Sequence, residues 1–459
     1  MVNLIPEAIL AIYKKIQEAD FEVYFVGGCV RDLLSERLVN DWDLTTGAIP
    51  SALLKLFPDG FYDNKFGTVG IPIKIEEQGQ IVEITTFRTE RGYTDRRRPD
   101  IIEWGKSIKE DLTRRDFTIN AIALRLKTKD QRLTTDIIDP FDGQKDIRNK
   151  IVRAVGDPKK RFKEDALRLL RAVRLSTELS FTIEEKTWTQ LVLDVSLITE
   201  ISAERVRDEF LKIIASDYPY EGIMLLKNAS LLRFILPELL EGIGVSQARA
   251  GRHHKTDVFT HNVLSLKFCP SSDPIVRFAT LIHDVGKPKV LTLDKEGLVT
   301  FYNHEVVSTR MASEICNRLR FSKKERERVV NLIRWHMFTV DEKITDSAVR
   351  RFIRRVRVEN VRDIMDLRIG DRLGGGTQTA QSWRLKLFKK RVEEQLQPAP
   401  FSINDLVIDG NDVMKELDIK PGPKVGEILQ KLFEEVDEDL SKNNHEYLVK
   451  RIKELGNNE

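Results

Sequence analysis

The stretch FVGGCVRDLLSERLVNDWDL, residues 25–44, decides how the first third of the chain is read. It holds a glycine pair, an Arg-Asp pair, and then Asp41 and Asp43 with one residue between them. The preceding run from Val23 to Val26 is apolar with β-branched ends, and Leu44 and Thr45 open a second such run. The unit therefore reads as strand, glycine turn, short helix, strand. Alternation along a strand puts Asp41 and Asp43 on the same face. Two parallel carboxylates repel unless a cation lies between them. That pairing suits Mg²⁺, which takes one or two carboxylates and completes its shell with water and phosphate oxygens.

Composition bounds the rest. A chain of 459 residues exceeds one ordinary core and predicts about three units. Its hydrophobic content of 41% is that of a globular protein. No apolar run is long enough to cross a bilayer or to act as a signal peptide, so a cytoplasmic protein with no membrane partner is expected. Cys29, Cys269 and Cys316 are far apart and lack paired metal spacing, which argues against disulfides and zinc clusters alike. The net charge of +3 conceals basic clusters at 96–98, 159–161, 323–328 and 350–357, a pattern that suits a polyanionic partner as well as solvated helix faces.

Along the chain, strand-like runs (VYFVGG, GIPIKIEE, IVEITTF, INAIALRL) fill the first 150 residues. From RFKEDALRLLRAVRLSTEL onward the apolar period lengthens to three or four. The expected organisation is α+β: a mixed head over 1–150, then an all-helical neck (151–220), body (221–345) and tail (346–459). Gly- and Pro-bearing joints fall at 156–158, 216–222 and 394–402.

Three more motifs follow the opening one in order: DLTRRDFTINAIAL (111–124), IIDPFDGQKDI (137–147) and RFKEDALRLLRAVRL (161–175). With GGCVRD and DWD they resemble the successive signatures of the class II tRNA nucleotidyltransferases, the CCA-adding enzymes, and of their bacterial poly(A) polymerase relatives, over roughly residues 20–230. The resemblance implies a polymerase-β-like nucleotidyltransferase head. It implies template-independent addition of all or part of the 3′-terminal CCA of tRNA from CTP and ATP, by nucleotidyl transfer that releases pyrophosphate. In that chemistry Asp41 and Asp43 hold two Mg²⁺ ions, while Gly28, Arg31, Arg115, Arg171 and Arg174 match positions that contact the nucleotide. A local ion pair is the bland reading of Arg31-Asp32. Glu83, in IVEITTF, reads equally as a third carboxylate or an exposed strand residue.

Asp165 and Arg168 lie about one helical turn apart, where a surface ion pair would be unremarkable. By the resemblance they face the pairing edge of the incoming base in place of a template. Cytosine and adenine both offer an amino donor beside a ring-nitrogen acceptor, which one carboxylate and one guanidinium can match. Guanine and uracil do not.

The helical half holds His261, adjacent His283-Asp284, His304, His336 and, further on, Asp371. This looks like an HD metallophosphohydrolase domain, with His261, His283, Asp284 and Asp371 as ligands of a divalent transition metal. A packed helical histidine is the plain reading of each residue alone. It fits poorly a set of four of the seven histidines.

Alternatives stay open: an A-adding enzyme, a poly(A) polymerase, phosphohydrolysis of cyclic or terminal nucleotide phosphates as the main activity, or a helical body that only clamps RNA. The basic helix RRFIRRVRVENVRD (350–363) motivates the last of these. The segment 401–433, with PGPKVG and Lys424, resembles a tail of the same enzymes. The interval 87–113 does not look shortened, as it is in CC-only relatives, so addition of A is expected. Oligomeric state is not legible.

Overall fold

The computed structural model describes residues 4–62, 67–75, 78–91, 101–104, 107–129, 132–247, 256–338, 340–377, 379–396 and 402–457, in which the quoted stretch folds as its pattern implies. Strand β1 (Val23–Val26) turns at Gly27 into a helix, Gly28–Leu34, which leads to strand β2 (Asp43–Thr46). Further strands follow as β3 (Phe61–Tyr62), β4 (Thr68–Ile75), β5 (Gln78–Thr86), β6 (Arg88–Arg91), β7 (Ile101–Trp104), β8 (Ala123–Lys129) and β9 (Arg132–Ile138). Seven of them make one sheet in the order β3-β4-β5-β2-β1-β8-β9, while β6 and β7 form a separate antiparallel ribbon. β2 and β5 run parallel, with Asp43 opposite Glu83.

β1 is buried at all four positions because the helix Glu7–Glu18 lays Ile9, Ile12, Tyr13 and Ile16 inward. Tyr13 stacks on Phe25 at 5.1 Å. Its hydroxyl donates to the Val23 carbonyl and accepts from the Leu126 amide, both at 2.9 Å, so one side chain ties β1 to β8. Each such buried aromatic or aliphatic side chain contributes about 2 kcal/mol.

The chain divides into two compact units, residues 1–240 with 318–320 and residues 241–317 with 321–459. In the first, the helices Leu167–Leu179, Ala203–Ala215 and Pro219–Asn228 pack on one another behind the head. Pro219 starts a helix at a position where its missing N–H costs nothing, so the proline read as a joint is a helix opener. Asp165 and Arg168, expected about a turn apart on one helix, are separated by a helix break. One helix ends at Glu164, Asp165 adopts φ −145° and ψ 105°, and its side chain accepts from the Leu167 amide at 3.1 Å, which opens the next helix.

The second unit is mostly helical. Val258–Phe268, Pro274–Ile282, His304–Arg318, Lys323–Trp335 and Val361–Gly374 form its body. Its terminal helices, Gly410–Leu417, Pro423–Glu438 and His445–Asn457, close over Leu432, Phe433, Val436, Leu448 and Ile452. In the helix Asp346–Val356, two arginines of the segment 350–363 are taken up inside the protein and are not available to a phosphate backbone. Arg350 is buried and donates from Nε to Asp437 Oδ1 at 2.8 Å, and Arg354 donates to Asp437 Oδ2 at 2.6 Å while lying over Phe433. Burial by itself would raise the Asp437 carboxyl, but hydrogen bonds from Arg354 and Arg350 hold it below its ordinary range. Asp437→Ala strands two guanidinium groups and should destabilise the protein by about 3 kcal/mol, read as a lower denaturant midpoint. An unchanged midpoint would show the triad to be idle. Among the described residues no helix is long and apolar enough to cross a membrane.

Candidate active site

Trp42 is buried and meets Phe25 edge-on at 5.7 Å. Anchoring Trp42 inward turns the residues on either side outward, and Asp41 and Asp43 both line a cavity of about 850 Å³, a size usual for small-molecule sites. Glu83, opposite Asp43 on the parallel strand, lines the same cavity, so the carboxylate left open by sequence faces the other two. Burial pushes the Asp43 carboxyl up to about 6. Arg115 opposes this, and the repulsion of Glu83 and Asp41 adds to it. Three oxygen-donor side chains on one cavity wall, one of them buried enough to resist carrying its charge, fit a hard divalent cation.

The strained turn is at Gly27, with φ +74°, and not at Gly28. A Cβ on Gly27 would lie 3.1 Å from Arg115 Nη1 and 3.3 Å from Asp43 Oδ2, whereas Gly28 opens the helix and lines the cavity. Arg31 also lines the cavity. Its Nε and Nη2 fork Asp32 at 2.8 and 2.9 Å, so the bland ion pair exists, while Nη1 donates to Asn120 at 2.9 Å. Asn120 in turn donates to Asp116 at 3.3 Å, and Arg171 donates to the other Asp116 oxygen at 2.7 Å. A continuous polar chain therefore links the glycine-turn helix to the helix Leu167–Leu179. Burial works against the Asp116 charge, yet Arg171 and Arg168 hold its carboxyl well below the usual range. Arg171 and Arg174 face the cavity, and Arg174 Nε pairs with buried Glu209 at 2.9 Å.

Asp165 and Arg168 are not among the residues lining that cavity. Arg168 donates to Glu164 at 2.9 Å and to the carbonyls of Arg161 and Arg114 at 3.1 and 2.9 Å. Asp165 pairs with Arg205 at 2.9 Å. Arg96, Arg97 and Arg98, in the interval 87–113, lie outside the described residues. Sequence reasoning missed Asp116, Asn120, Arg205 and Glu209. The first two stand four apart inside a quoted motif, which is a usable signal. Arg205 and Glu209 sit in ERVRDEF, whose charges read as a solvated helix face.

In the second unit, His261, His283, Asp284 and Asp371 lie close together, and His304 and His336 join them. His261 Nε2 lies 3.2 Å from Asp284 and 3.3 Å from Asp371, and His283 Nε2 lies 3.3 Å from Asp284. His304 and His336 approach the second Asp284 oxygen at 3.2 and 3.7 Å. The Nδ1 atoms of His283, His304 and His336 lie 2.8, 2.8 and 2.7 Å from the carbonyls of Thr280, Phe301 and Ile333. Carbonyls only accept, so Nδ1 carries a hydrogen in all three rings and Nε2 turns inward. Burial disfavours a charge on His283, yet Asp284 and Asp371 push it up to about 10, so a cation there competes with a proton on its Nε2. His304 Nε2 and Asp284 Oδ1, both buried, make no hydrogen bond. Lone pair faces lone pair, an arrangement that a cation relieves. Burial and neighbouring His283 push His336 down to about 3, which keeps it a neutral donor. The close crossing that brings Asp371 to His261 depends on small residues: a Cβ on Gly374 would fall 2.3 Å from Ser265 Oγ, and one on Gly370 would fall 2.5 Å from the Ser265 carbonyl.

A carboxylate wall on a mixed sheet, facing arginines from an adjoining helical bundle, defines the nucleotidyltransferase class. Residues 23–153 match the family described as "Poly A polymerase head domain", 180–242 "Probable RNA and SrmB- binding site of polymerase A", and 296–452 "tRNA nucleotidyltransferase domain 2 putative". The A-adding tRNA nucleotidyltransferase of Deinococcus radiodurans is 35% identical over 349 residues, covering 73% of this chain and 76% of that protein. The CCA-adding enzyme of Lactobacillus helveticus is 45% identical over 216 residues, 46% of this chain and 51% of that one. Matches to several such curated relatives span about half of their length. In fold, the chain is similar to the Bacillus stearothermophilus CCA-adding enzyme solved with CTP, at a TM-score of 0.72 and 24% identity over 98% of each chain. The chain belongs to the tRNA nucleotidyltransferase family.

Proposed function

We propose that this protein adds the 3′-terminal CCA, or part of it, to tRNA from CTP and ATP without a nucleic-acid template. One observation carries the reading: Asp41, Asp43 and Glu83 share a cavity with Arg31, Arg171 and Arg174. The tRNA 3′-oxygen bonds to the α-phosphorus of the nucleotide, the bond to the bridging oxygen breaks, pyrophosphate leaves and the hydroxyl proton passes to solvent. Mg²⁺ held by Asp41 and Asp43, with Glu83 beside them, would supply charge neutralisation on the phosphates and a more acidic 3′-hydroxyl. Arg31, Arg171 and Arg174 hold the triphosphate in line, with Asn120, Asp116 and Glu209 fixing their guanidinium groups. Asp165 and Arg168 are assigned the base edge. Arg168 turns from its present partners toward the nucleotide when it binds, while Asp165 keeps its contact with Arg205.

Complete CCA addition is preferred to A-only addition or poly(A) synthesis, because relatives at 45% and 40% identity are named CCA-adding enzyme and the A-adding relative stands at 35%. Acceptors ending at the discriminator base, after one C and after two C residues separate these outcomes. With CTP and ATP all three should finish as CCA. Extension of the third acceptor alone would establish the A-only enzyme, and long A tracts would establish the polymerase.

The facing lone pairs of His304 and Asp284 favour a second reading for the other unit, a metal-dependent phosphohydrolase acting on cyclic or terminal nucleotide phosphates. His261, His283, Asp284 and Asp371 would hold a divalent transition metal, and His304 and His336 enlarge the donor set. The bound metal would supply an activated water.

A further inference from the structure

Asp165 occupies an unusual place for a residue that must be held to within a fraction of an ångström. It stands in the break between two helices, where its φ of −145° and ψ of 105° leave the helical region, although its amide still donates to the Arg161 carbonyl at 3.3 Å and its carbonyl accepts from the Arg168 amide at 3.1 Å. Its carboxylate is tied at both oxygens. Oδ1 accepts from the Leu167 amide at 3.1 Å, and Oδ2 accepts from Arg205 Nη2 at 2.9 Å. Arg205 comes from a different element, the helix Ala203–Ala215, and reaches back across the neck to this one carboxylate. Its other terminal nitrogen, Nη1, is buried and makes no hydrogen bond. An unsatisfied buried donor costs about 1–3 kcal/mol, so satisfying its own donors does not account for where this guanidinium sits. The contact with Asp165 does. Arg168, by contrast, spends its donors on Glu164 and on the carbonyls of Arg161 and Arg114.

We infer that Arg205 is a positioning residue for base selection, fixing the Asp165 carboxylate so that its remaining lone pairs meet the amino group of cytosine or adenine. Each carboxylate oxygen has two lone-pair directions, and the present contacts use one on each. The acceptor edge left over is a fixed direction rather than a rotating group. A base that presents a carbonyl there, as guanine and uracil do, meets oxygen against oxygen and is refused. Freed from Arg205, the carboxylate turns about its side-chain bonds and the refusal weakens. The inference rests on nucleotidyl transfer to tRNA as proposed above, and it adds a residue outside the motifs that suggested that activity.

The test measures initial rates of CTP, ATP, GTP and UTP incorporation into tRNA lacking its 3′ end, for the wild type, Arg205→Gln and Arg205→Lys. The ratio of correct to incorrect incorporation should fall about tenfold in Arg205→Gln and by a smaller factor in Arg205→Lys, which restores charge but not the planar fork. This ratio does not depend on the fraction of enzyme that is active, so a purely structural role leaves it unmoved. Equal loss for all four nucleotides in both variants overturns the inference. If Arg205→Gln fails to fold, as thermal unfolding would reveal, the Arg205→Lys ratio decides in the same sense. A wild type that adds no nucleotide to tRNA removes the proposed function and the inference together. A selective wild type with unselectively slowed variants removes the inference alone.

Discussion

Asp41→Ala and Asp43→Ala each lower nucleotide incorporation by at least about a thousandfold, with CTP and with ATP alike, while the protein stays folded. The effect should be this large because both carboxylates face one cavity, and losing either leaves only the other and Glu83 on its wall. Asp43→Asn separates charge from shape. It keeps the packing around Trp42 and removes the anion, and it should be as inactive as the alanine variant. Acidity gives an independent readout. Burial raises the Asp43 carboxyl to about 6, so proton and cation compete for it, and incorporation by the wild type should decline as pH falls through that value. Excess Mg²⁺ should move the decline to lower pH. Near-normal activity of Asp41→Ala would show that the cavity is not where the chemistry occurs.

Asp284→Ala should strip the second unit of bound transition metal, from about one equivalent or more to a trace, as read by inductively coupled plasma analysis of dialysed protein. Any hydrolysis of a cyclic 2′,3′-phosphate disappears with it. The expected loss is near-complete because both Asp284 oxygens are engaged, one toward His261 and His283 and the other toward His304 and His336, so one substitution removes the centre of the cluster. CCA addition by the same variant should continue, which distinguishes loss of this site from general misfolding. Unchanged metal content and hydrolysis in Asp284→Ala would dismiss the site.

What could be read without coordinates is what short-range pattern governs. Alternation around Trp42 is a property of a few consecutive residues, and it put Asp41 and Asp43 on one face before their surroundings were known. The change from a period of two to one of three or four likewise separated the mixed head from the helices that follow. His283-Asp284 was legible as an adjacent pair of ligand types. That Glu83 lies beside Asp43 was not, since it depends on two distant strands pairing in parallel at one register. Nor could sequence tell which arginines are occupied. Arg350 and Arg354 read as part of a basic surface, and tertiary packing buried Arg350 and turned both onto Asp437, more than eighty positions away.

The sequence by itself determined the class of chemistry, because paired carboxylates, a glycine turn and the arginine-bearing segment 161–175 are local and ordered along the chain. Only the tertiary structure decided which groups hold those residues in place. Asp116 lies against Arg171, Glu209 against Arg174, Arg205 against Asp165, and His304 and His336 against Asp284. These contacts join segments brought together by the burial of apolar faces, and a charged side chain looks the same in sequence whether it meets water or a buried counter-charge.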